Sequence, residues 1–251
     1  MLRSLWAWSA VTILIVCWLP MLAVIRLFDG DPSLYRTGYW FRRLGWMMTK
    51  VNPMWRVHVS GHRVVDPRRP YVVVSNHQSL ADIPVISCLP WEMKWVAKTE
   101  LFKIPFVGWM MWLAGDVELD RSDPKSRTRV LLGVRRYLQN RCSVMFFPEG
   151  TRSLDGSVLP FNEGAFLVAI KEKVPVLPLV VDGTQDALPK NSWRFGEARD
   201  IRVKVLPPIE TSEMKSSEAR RLTEEVRQSI VSQLAEWRRT APAELDARLS
   251  A

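Results

Sequence analysis

A histidine and an aspartate, His77 and Asp82, follow a run of β-branched residues in the sequence YVVVSNHQSLAD (71–82). An aspartate that accepts a hydrogen bond from one imidazole nitrogen fixes the tautomer of the ring and leaves the other nitrogen basic. On one continuous helix the two residues would lie about 140° apart, so their contact requires a turn and then a helix that starts near Asp82. The pair is therefore a candidate general base with its orienting partner. The alternative is that Asp82 only caps the helix and His77 is an ordinary polar residue.

A second polar loop follows another β-rich run, in the sequence SVMFFPEGTRS (143–153). Gly150 permits close approach of the backbone to a ligand, Thr151 supplies a hydroxyl, and Arg152 carries a planar guanidinium that suits a phosphate. Glu149 is expected to bind a ligand hydroxyl or to hold Arg152 in place. Ligands of open α/β sheets bind at the carboxyl ends of strands, so the two loops predict one site with a base and a phosphate-binding group. A solvated polar loop is the alternative.

The elements that position these loops are short β-rich runs that alternate with helical patterns from Trp55 onward. This alternation predicts an α/β fold, a single globular domain with a mixed, largely parallel sheet flanked by helices. Strands are predicted at 56–60, 71–75, 94–97, 116–120, 143–148, 174–181 and 201–206. Helices are predicted at 83–90, 99–113, 124–140, 163–172 and 216–239.

The first part of the chain has a different character. Residues 5–25 form an uncharged stretch between Arg3 and Arg26, long enough to cross the roughly 30 Å hydrocarbon core of a bilayer. Pro20 allows a kink, so a helix buried in one leaflet is the alternative. A cleaved signal peptide is disfavoured, because the apolar run exceeds the usual length of about 7–15 residues and no A-x-A site follows.

A second helical pattern follows, with apolar residues at 34, 41, 44, 48 and 51 and basic residues between them. It predicts an amphipathic helix at the membrane interface, or else a helix packed on the following domain. We therefore expect a membrane-anchoring two-helix segment over residues 1–54 and a catalytic domain over residues 55–251.

Composition limits the partners of the chain. Its 251 residues, 47% hydrophobic, suffice for one domain with a full core plus a short appendage. A net charge of +9 indicates an anionic partner, either nucleic acid, a phospholipid surface, or a phosphorylated or CoA-bearing substrate. Nucleic acid is disfavoured, because much of the charge lies near the membrane-like N-terminus and no recognition motif accompanies it.

The cysteines, at positions 17, 88 and 142, stand apart from one another without CxxC spacing. The sequence therefore predicts neither a disulfide framework nor a thiolate metal site. Three histidines without an HExxH motif offer no other set of metal ligands. We expect no metal, and a reducing compartment.

The sequence resembles the lysophospholipid acyltransferase family, and most of all its 1-acyl-sn-glycerol-3-phosphate (lysophosphatidic acid) acyltransferases. Four segments are similar to the conserved blocks of that family and occur in the same order, at 76–84, 94–121, 147–153 and 174–181. The resemblance implies the glycerolipid acyltransferase fold. One departure is Asn162-Glu163, where relatives usually carry a lysine before the glycine, and this departure bears on the acceptor headgroup.

The resemblance also implies roles for the matching residues. His77 would be the general base and Asp82 its orienting partner. The loop 149–152 would bind the acceptor, and Lys98 would join Arg152 on the phosphate, with Arg121 as a further candidate. The implied substrate-binding residues are Lys98, Arg121, Glu149, Gly150, Thr151 and Arg152.

The implied reaction is direct transfer from acyl-CoA or acyl carrier protein to a lysophospholipid hydroxyl, giving phosphatidic acid in phospholipid biosynthesis. His77 would remove the hydroxyl proton and a thiolate would leave. Ser79 as a covalent nucleophile is disfavoured without a GxSxG motif. No cofactor is expected beyond the acyl donor. Another lysolipid acceptor, and a non-catalytic lipid-binding protein of the same fold, are the alternatives.

Two expectations concern the surroundings of the reaction. The apolar stretch 106–115 either lines a tunnel for the acyl chain or is ordinary core, and core is the more common use of such a stretch. The protein is expected at the membrane, with its catalytic domain on the cytoplasmic side of the inner (cell) membrane.

Overall fold

The computed structural model describes residues 1–120, 122–190 and 192–247, which form helices and one sheet. The helices of this described part are α1 (Leu2–Leu27), α2 (Tyr35–Val51), α3 (Asp82–Ile86), α4 (Thr99–Phe102), α5 (Val107–Ala114), α6 (Pro124–Gln139), α7 (Gly164–Glu172), α8 (Thr184–Ala187), α9 (Ala219–Arg238) and α10 (Pro242–Leu245). Its strands are β1 (Trp55–Gly61), β2 (Val72–Ser75), β3 (Met93–Lys98), β4 (Val117–Leu119), β5 (Ser143–Phe146), β6 (Val176–Asp182) and β7 (Arg199–Val205).

The strands form one sheet in the order β1-β7-β6-β2-β5-β3-β4. All neighbours in this order are parallel except β6 and β7, which are antiparallel. Every residue of β2 and of β6 is buried, as expected for central strands that are covered on both faces. The predicted mixed, largely parallel α/β fold is confirmed.

Two apolar cores cover the two faces of the sheet. Side chains alternate along β2, so Val72 and Val74 belong to the core beneath α6, α7 and α9, while Val73 belongs to the opposite core. The opposite core includes Val85 and Ile86 of α3. Helix α3 is thereby fixed against the sheet directly beside the loop that carries His77.

Two predicted helices end earlier than expected. The segment 99–113 is split into α4 and α5 by Pro105, which lacks an N–H donor, and by Phe106, whose φ of 62° lies in the left-handed region. Helix α3 ends at Ile86 rather than at 90. The chain continues in single turns to Leu89, where Pro90 disfavours helical backbone. In both cases a proline in the sequence marks where the helix is interrupted.

Helix α1 contains 26 residues, and within the described chain it is the helix long and apolar enough to cross a membrane, by length and composition alone. Of the most apolar 18-residue segment of this helix, only 6% is buried in the protein. Pro20 lies inside this helix. Long apolar helices near an N-terminus also occur as signal sequences, so the helix by itself supports membrane association only weakly.

Helix α2 packs on the part of the chain that contains the sheet, which favours the second of the two predicted alternatives. Arg42 points into the protein and is 5% exposed. Its guanidinium binds both oxygens of Asp116, at 2.5 and 2.6 Å, and lies 3.6 Å from Glu92. Glu92 in turn accepts a hydrogen bond of 2.9 Å from Lys94. These four charged residues, here called the buried charge cluster, join α2 to β3 and to the start of β4.

Candidate active site

The two loops singled out in the sequence lie side by side. β2 and β5 pair in parallel, with Val74 opposite Phe146, so the loop after Ser75 and the loop after Phe146 leave the same edge of the sheet. A backbone hydrogen bond of 2.9 Å from the Ser153 N–H to the His77 carbonyl joins them. The structure thus brings the candidate base and the candidate phosphate-binding loop together.

His77 and Asp82 are in direct contact. The His77 Nδ1 lies 2.7 Å from Asp82 Oδ2, which also accepts backbone N–H groups from Gln78 at 2.8 Å and Ser79 at 3.0 Å. The Asp82 side chain is fully buried and the His77 side chain is 14% exposed. A carboxylate that already accepts two N–H donors favours a third donor, which places the ring proton on Nδ1. Among the described residues none binds Nε2, so this nitrogen is available as a base.

The imidazole is held from its face as well as from Nδ1. The Phe147 ring stacks on it, with centroids 3.9 Å apart and an angle of 16° between the planes. The start of the loop is fixed to β6, because the Asn76 amide exchanges two hydrogen bonds with the backbone of Val181, at 2.8 and 2.9 Å. Sequence reasoning missed both contacts, although Phe147 lies inside the segment that resembles the third family block. The ring position is therefore tightly constrained.

Ser79 has a structural role. Its buried hydroxyl donates to the Leu188 carbonyl at 2.6 Å and accepts from the Ala81 N–H at 3.1 Å. A carbonyl cannot remove the hydroxyl proton, so this arrangement does not support Ser79 as a covalent nucleophile.

Glu149 connects the two loops through the backbone. Its Oε1 accepts the His77 N–H at 2.6 Å and its Oε2 accepts the Leu159 N–H at 3.0 Å. It is 7% exposed, and burial raises its pKa to about 8 although both hydrogen bonds oppose the rise. Within the described part of the chain Glu149 forms no ion pair with Arg152, so its contacts differ from the predicted hold on that residue. No pattern in the sequence predicts the Leu159 contact.

The rest of this loop presents polar groups outward. Gly150 has a φ of 73°, in the left-handed region that glycine adopts without strain. Thr151 is exposed and Arg152 is partly exposed. The ion pairs of the described residues include none for the Arg152 guanidinium, while the Arg152 carbonyl accepts a hydrogen bond of 3.1 Å from Lys190. Two cationic side chains therefore lie at this end of the loop.

The structure describes Lys98, one of the two remaining predicted binding residues. Lys98 is the last residue of β3 and is exposed. Because β3 lies beside β5 in parallel, Lys98 is at the same edge of the sheet as the loop that contains Arg152. Arg121 lies outside the described residues.

An apolar cavity of about 310 Å³ lies beneath the His77 loop. Leu80 and Ala81, which stand between His77 and Asp82 in sequence, form part of its wall. Most of the remaining wall comes from α1, α2, α3, β3 and α5, with further residues from α4, β1 and the connecting loops. It includes Ile15, Met48, Ile83, Val107, Met110 and Met111.

Residues of the stretch 106–115, predicted either to line an acyl tunnel or to be core, are buried and also line this cavity. Met110 and Met111 are buried and also line the cavity. Trp109 and Trp112 of the same helix are 52% and 66% exposed, so they belong to neither.

A family model described as Acyltransferase matches residues 56–182, about half of the chain and the part that holds both loops. The chain belongs to this acyltransferase family, which confirms the resemblance.

Its relatives include the chloroplastic 1-acyl-sn-glycerol-3-phosphate acyltransferase BAT2 of Brassica napus, 38% identical over 165 residues, covering 65% of this chain and 48% of that protein. The human 1-acyl-sn-glycerol-3-phosphate acyltransferase alpha is 38% identical over 178 residues, or 70% of this chain and 62% of that protein. The chain thus spans about half the length of the chloroplastic relatives, which are 48% and 51% covered. The crystal structure of the 1-acyl-sn-glycerophosphate (LPA) acyltransferase PlsC from Thermotoga maritima is similar with a TM-score of 0.79 and 29% identity, over 94% of this chain and 95% of that one.

Proposed function

We propose that this protein transfers a fatty acyl group from an acyl thioester to the free hydroxyl of 1-acyl-sn-glycerol-3-phosphate, giving phosphatidic acid. One observation carries the proposal. His77 is oriented by the buried Asp82, and among the described residues neither its Nε2 nor the guanidinium of Arg152 in the adjoining loop has a hydrogen-bond or ion-pair partner. A base next to an anion-binding loop is what transfer to a phosphorylated alcohol requires. The names of the relatives support the same substrate.

The proposed transfer proceeds directly between the two substrates. His77 Nε2 takes the proton of the acceptor hydroxyl while the oxygen attacks the thioester carbonyl, so a carbon–oxygen bond forms and the carbon–sulfur bond breaks. Asp82 stabilises the imidazolium through Nδ1. The thiolate leaves and takes the proton back from Nε2, which restores the neutral ring. A thiol has a pKa of about 8.5, so its departure needs little help from an acid. The thioester is already activated, and the transfer uses no further cofactor.

The acceptor phosphate is assigned to Arg152 and Lys98, with the Thr151 hydroxyl as a further donor. Arg152 suits this role because its guanidinium offers parallel N–H donors to two phosphate oxygens. Asn162, the residue that departs from the family pattern, donates from its side chain to the Pro148 carbonyl at 2.8 Å. Its amide therefore stabilises the loop, and the recognition of the headgroup rests on the basic residues.

The acyl chain of the donor is assigned to the apolar cavity. The cavity passes beneath Leu80, three residues from His77, so a chain inside it would place its carboxyl end near the dyad. We assign membrane attachment to residues 1–54, chiefly to α1, and catalysis to residues 55–251. We place the catalytic part on the cytoplasmic side of the inner membrane.

Purified full-length protein in detergent tests the proposal. It would be incubated with acyl-CoA or acyl carrier protein as donor and with a panel of lysolipids that share one chain and differ in headgroup. Release of thiol and formation of the diacyl product would both be followed. We expect transfer that depends on the lysolipid and is fastest with 1-acyl-sn-glycerol-3-phosphate, and loss of this transfer in His77→Ala.

The panel separates the alternatives. A faster reaction with another headgroup would assign a different acceptor to the same chemistry. Lysolipid binding without thiol release above the His77→Ala background would identify a lipid-binding protein and overturn the enzyme assignment.

A further inference from the structure

We propose that Arg227 and Asp246 are positioning residues for His77, and that they act through the peptide group between Val158 and Leu159 and the carboxyl group of Glu149. The inference rests on the proposed function, because it assigns to His77 the role of base. It concerns residues near the C-terminal end of the sequence that the chemistry described above does not use.

Arg227 lies on α9, and its side chain is only 1% exposed. Its guanidinium binds both carboxylate oxygens of Asp246, at 2.8 and 2.7 Å, and Asp246 is itself 3% exposed. The same guanidinium donates from Nε to the Leu159 carbonyl at 3.0 Å and from a terminal nitrogen to the Val158 carbonyl. One planar group thus holds two consecutive peptides and a carboxylate.

The peptide group between Val158 and Leu159 is held at both ends. Its carbonyl, that of Val158, accepts from a terminal nitrogen of Arg227, and its N–H, that of Leu159, donates to Glu149 Oε2 at 3.0 Å. Glu149 Oε1 then accepts the His77 N–H at 2.6 Å. A continuous series of hydrogen bonds therefore runs from Asp246 through Arg227, Leu159 and Glu149 to the main chain of His77.

The C-terminal segment reinforces the same point of the loop. The Val158 N–H donates to the Leu245 carbonyl at 2.8 Å, and Val158 and Asp246 form an isolated parallel bridge. Residues 157–159 are therefore fixed between Glu149 on one side and α9 with the C-terminal segment on the other.

This arrangement serves position more than it serves stability. A buried ion pair is a weak source of net stability, since apolar residues of the same size often replace such pairs without loss. Arginine does offer a rigid planar set of donors that lysine cannot reproduce. A displacement of about 1 Å at a catalytic group is enough to reduce the rate about 100-fold.

The test uses the full-length protein and the transfer assay described above. Arg227→Lys keeps the charge and loses the planar geometry, and Arg220→Lys is the matched control, since Arg220 is an exposed arginine on the same helix. Values of kcat and of KM for both substrates would be measured at a temperature at which circular dichroism shows all variants folded. We expect kcat of Arg227→Lys to fall about 100-fold with KM for the acyl donor unchanged, and Arg220→Lys to match the wild type.

A double variant shows whether Arg227 acts through Glu149. If it does, Arg227→Lys combined with Glu149→Gln should lose little more kcat than the more damaging single variant. A double-variant loss equal to the product of the two single losses would overturn the proposed path. So would an unchanged kcat in Glu149→Gln.

Two further outcomes decide the question. A folded Arg227→Lys with kcat within threefold of the wild type overturns the inference while leaving the proposed function intact. If Arg227→Lys does not fold, Asp246→Asn is judged by the same criteria. A wild type without thioester-dependent transfer overturns the proposed function itself, and this result is distinct because it appears before any variant is compared.

Discussion

Glu149→Gln should reverse its effect on stability between acid and alkaline pH. Burial raises the pKa of Glu149 in the folded protein to about 8, from an ordinary value of 4.5. Between these two values the folded protein binds a proton that the unfolded chain has released. The free energy of unfolding therefore falls as pH rises through this window. Glutamine cannot ionise, so the variant lacks this contribution.

The size of the effect follows from the width of the window. At about 1.4 kcal/mol for each pH unit, ionisation of Glu149 lowers the free energy of unfolding by up to about 5 kcal/mol above pH 8. The glutamine side chain keeps one acceptor oxygen for two N–H donors, so one hydrogen bond to His77 or Leu159 is lost, at about 1 kcal/mol. The variant should be slightly less stable than the wild type near pH 5 and several kcal/mol more stable near pH 9.

Urea unfolding in mild detergent, followed by the fluorescence of the twelve tryptophans, measures this difference. The comparison removes the contribution of all other titrating groups that the two proteins share. A difference that stays constant from about pH 5 to about pH 9 would refute the reasoning. It would show that the two N–H donors keep Glu149 ionised in the folded protein throughout.

Four further substitutions and one control test the other roles. His77→Ala should reduce acyl transfer about 10²–10⁴-fold with the fold intact. Asp82→Asn should also be severely impaired, because it favours the wrong tautomer of His77. Transfer rates within threefold of the wild type would contradict the assigned roles of this pair. Arg152→Lys should raise KM for the acceptor and leave KM for the donor unchanged, and the reverse pattern would assign the phosphate to the donor. Arg42→Ala should lower the free energy of unfolding by about 3–5 kcal/mol, since it removes the ion-pair partner of the buried Asp116, whereas the exposed Arg36→Ala should change it by less than about 0.5 kcal/mol. Equal effects in urea unfolding would contradict the buried charge cluster.

The sheet was predictable because its strands are short, apolar and bounded by turn residues. β2 and β6 are continuous apolar runs, and the parallel pairing of β2 with β5 places their two loops together. The contact between His77 and Asp82 was predictable for a local reason, since both residues lie within one turn and the helix that follows. Sequence reasoning identifies such a dyad because spacing alone restricts its geometry.

Long-range partners were not predictable in this way. Glu149 reaches His77 across 72 residues, and Arg42 reaches Asp116 across 74. Spacing within a helix or strand contains no information about which carboxylate will meet which donor after the sheet assembles. Arg42 illustrates this limit, because the amphipathic pattern left open whether its helix lies at the membrane interface or packs on the protein, and its partners are buried carboxylates.

The cavity has a consequence for how the protein can change. Its wall is built jointly by α1 and α2 and by β3, α3 and α5, so it crosses the boundary assigned between membrane attachment and catalysis. The two parts therefore cannot evolve as independent modules. With the acyl chain in the cavity as proposed, a substitution on α2 at Met48 would alter the length of chain that fits without touching the dyad or the phosphate loop. In a chimera that exchanges residues 1–54 between two relatives, chain-length preference should follow the exchanged helices while headgroup preference stays with the rest of the protein.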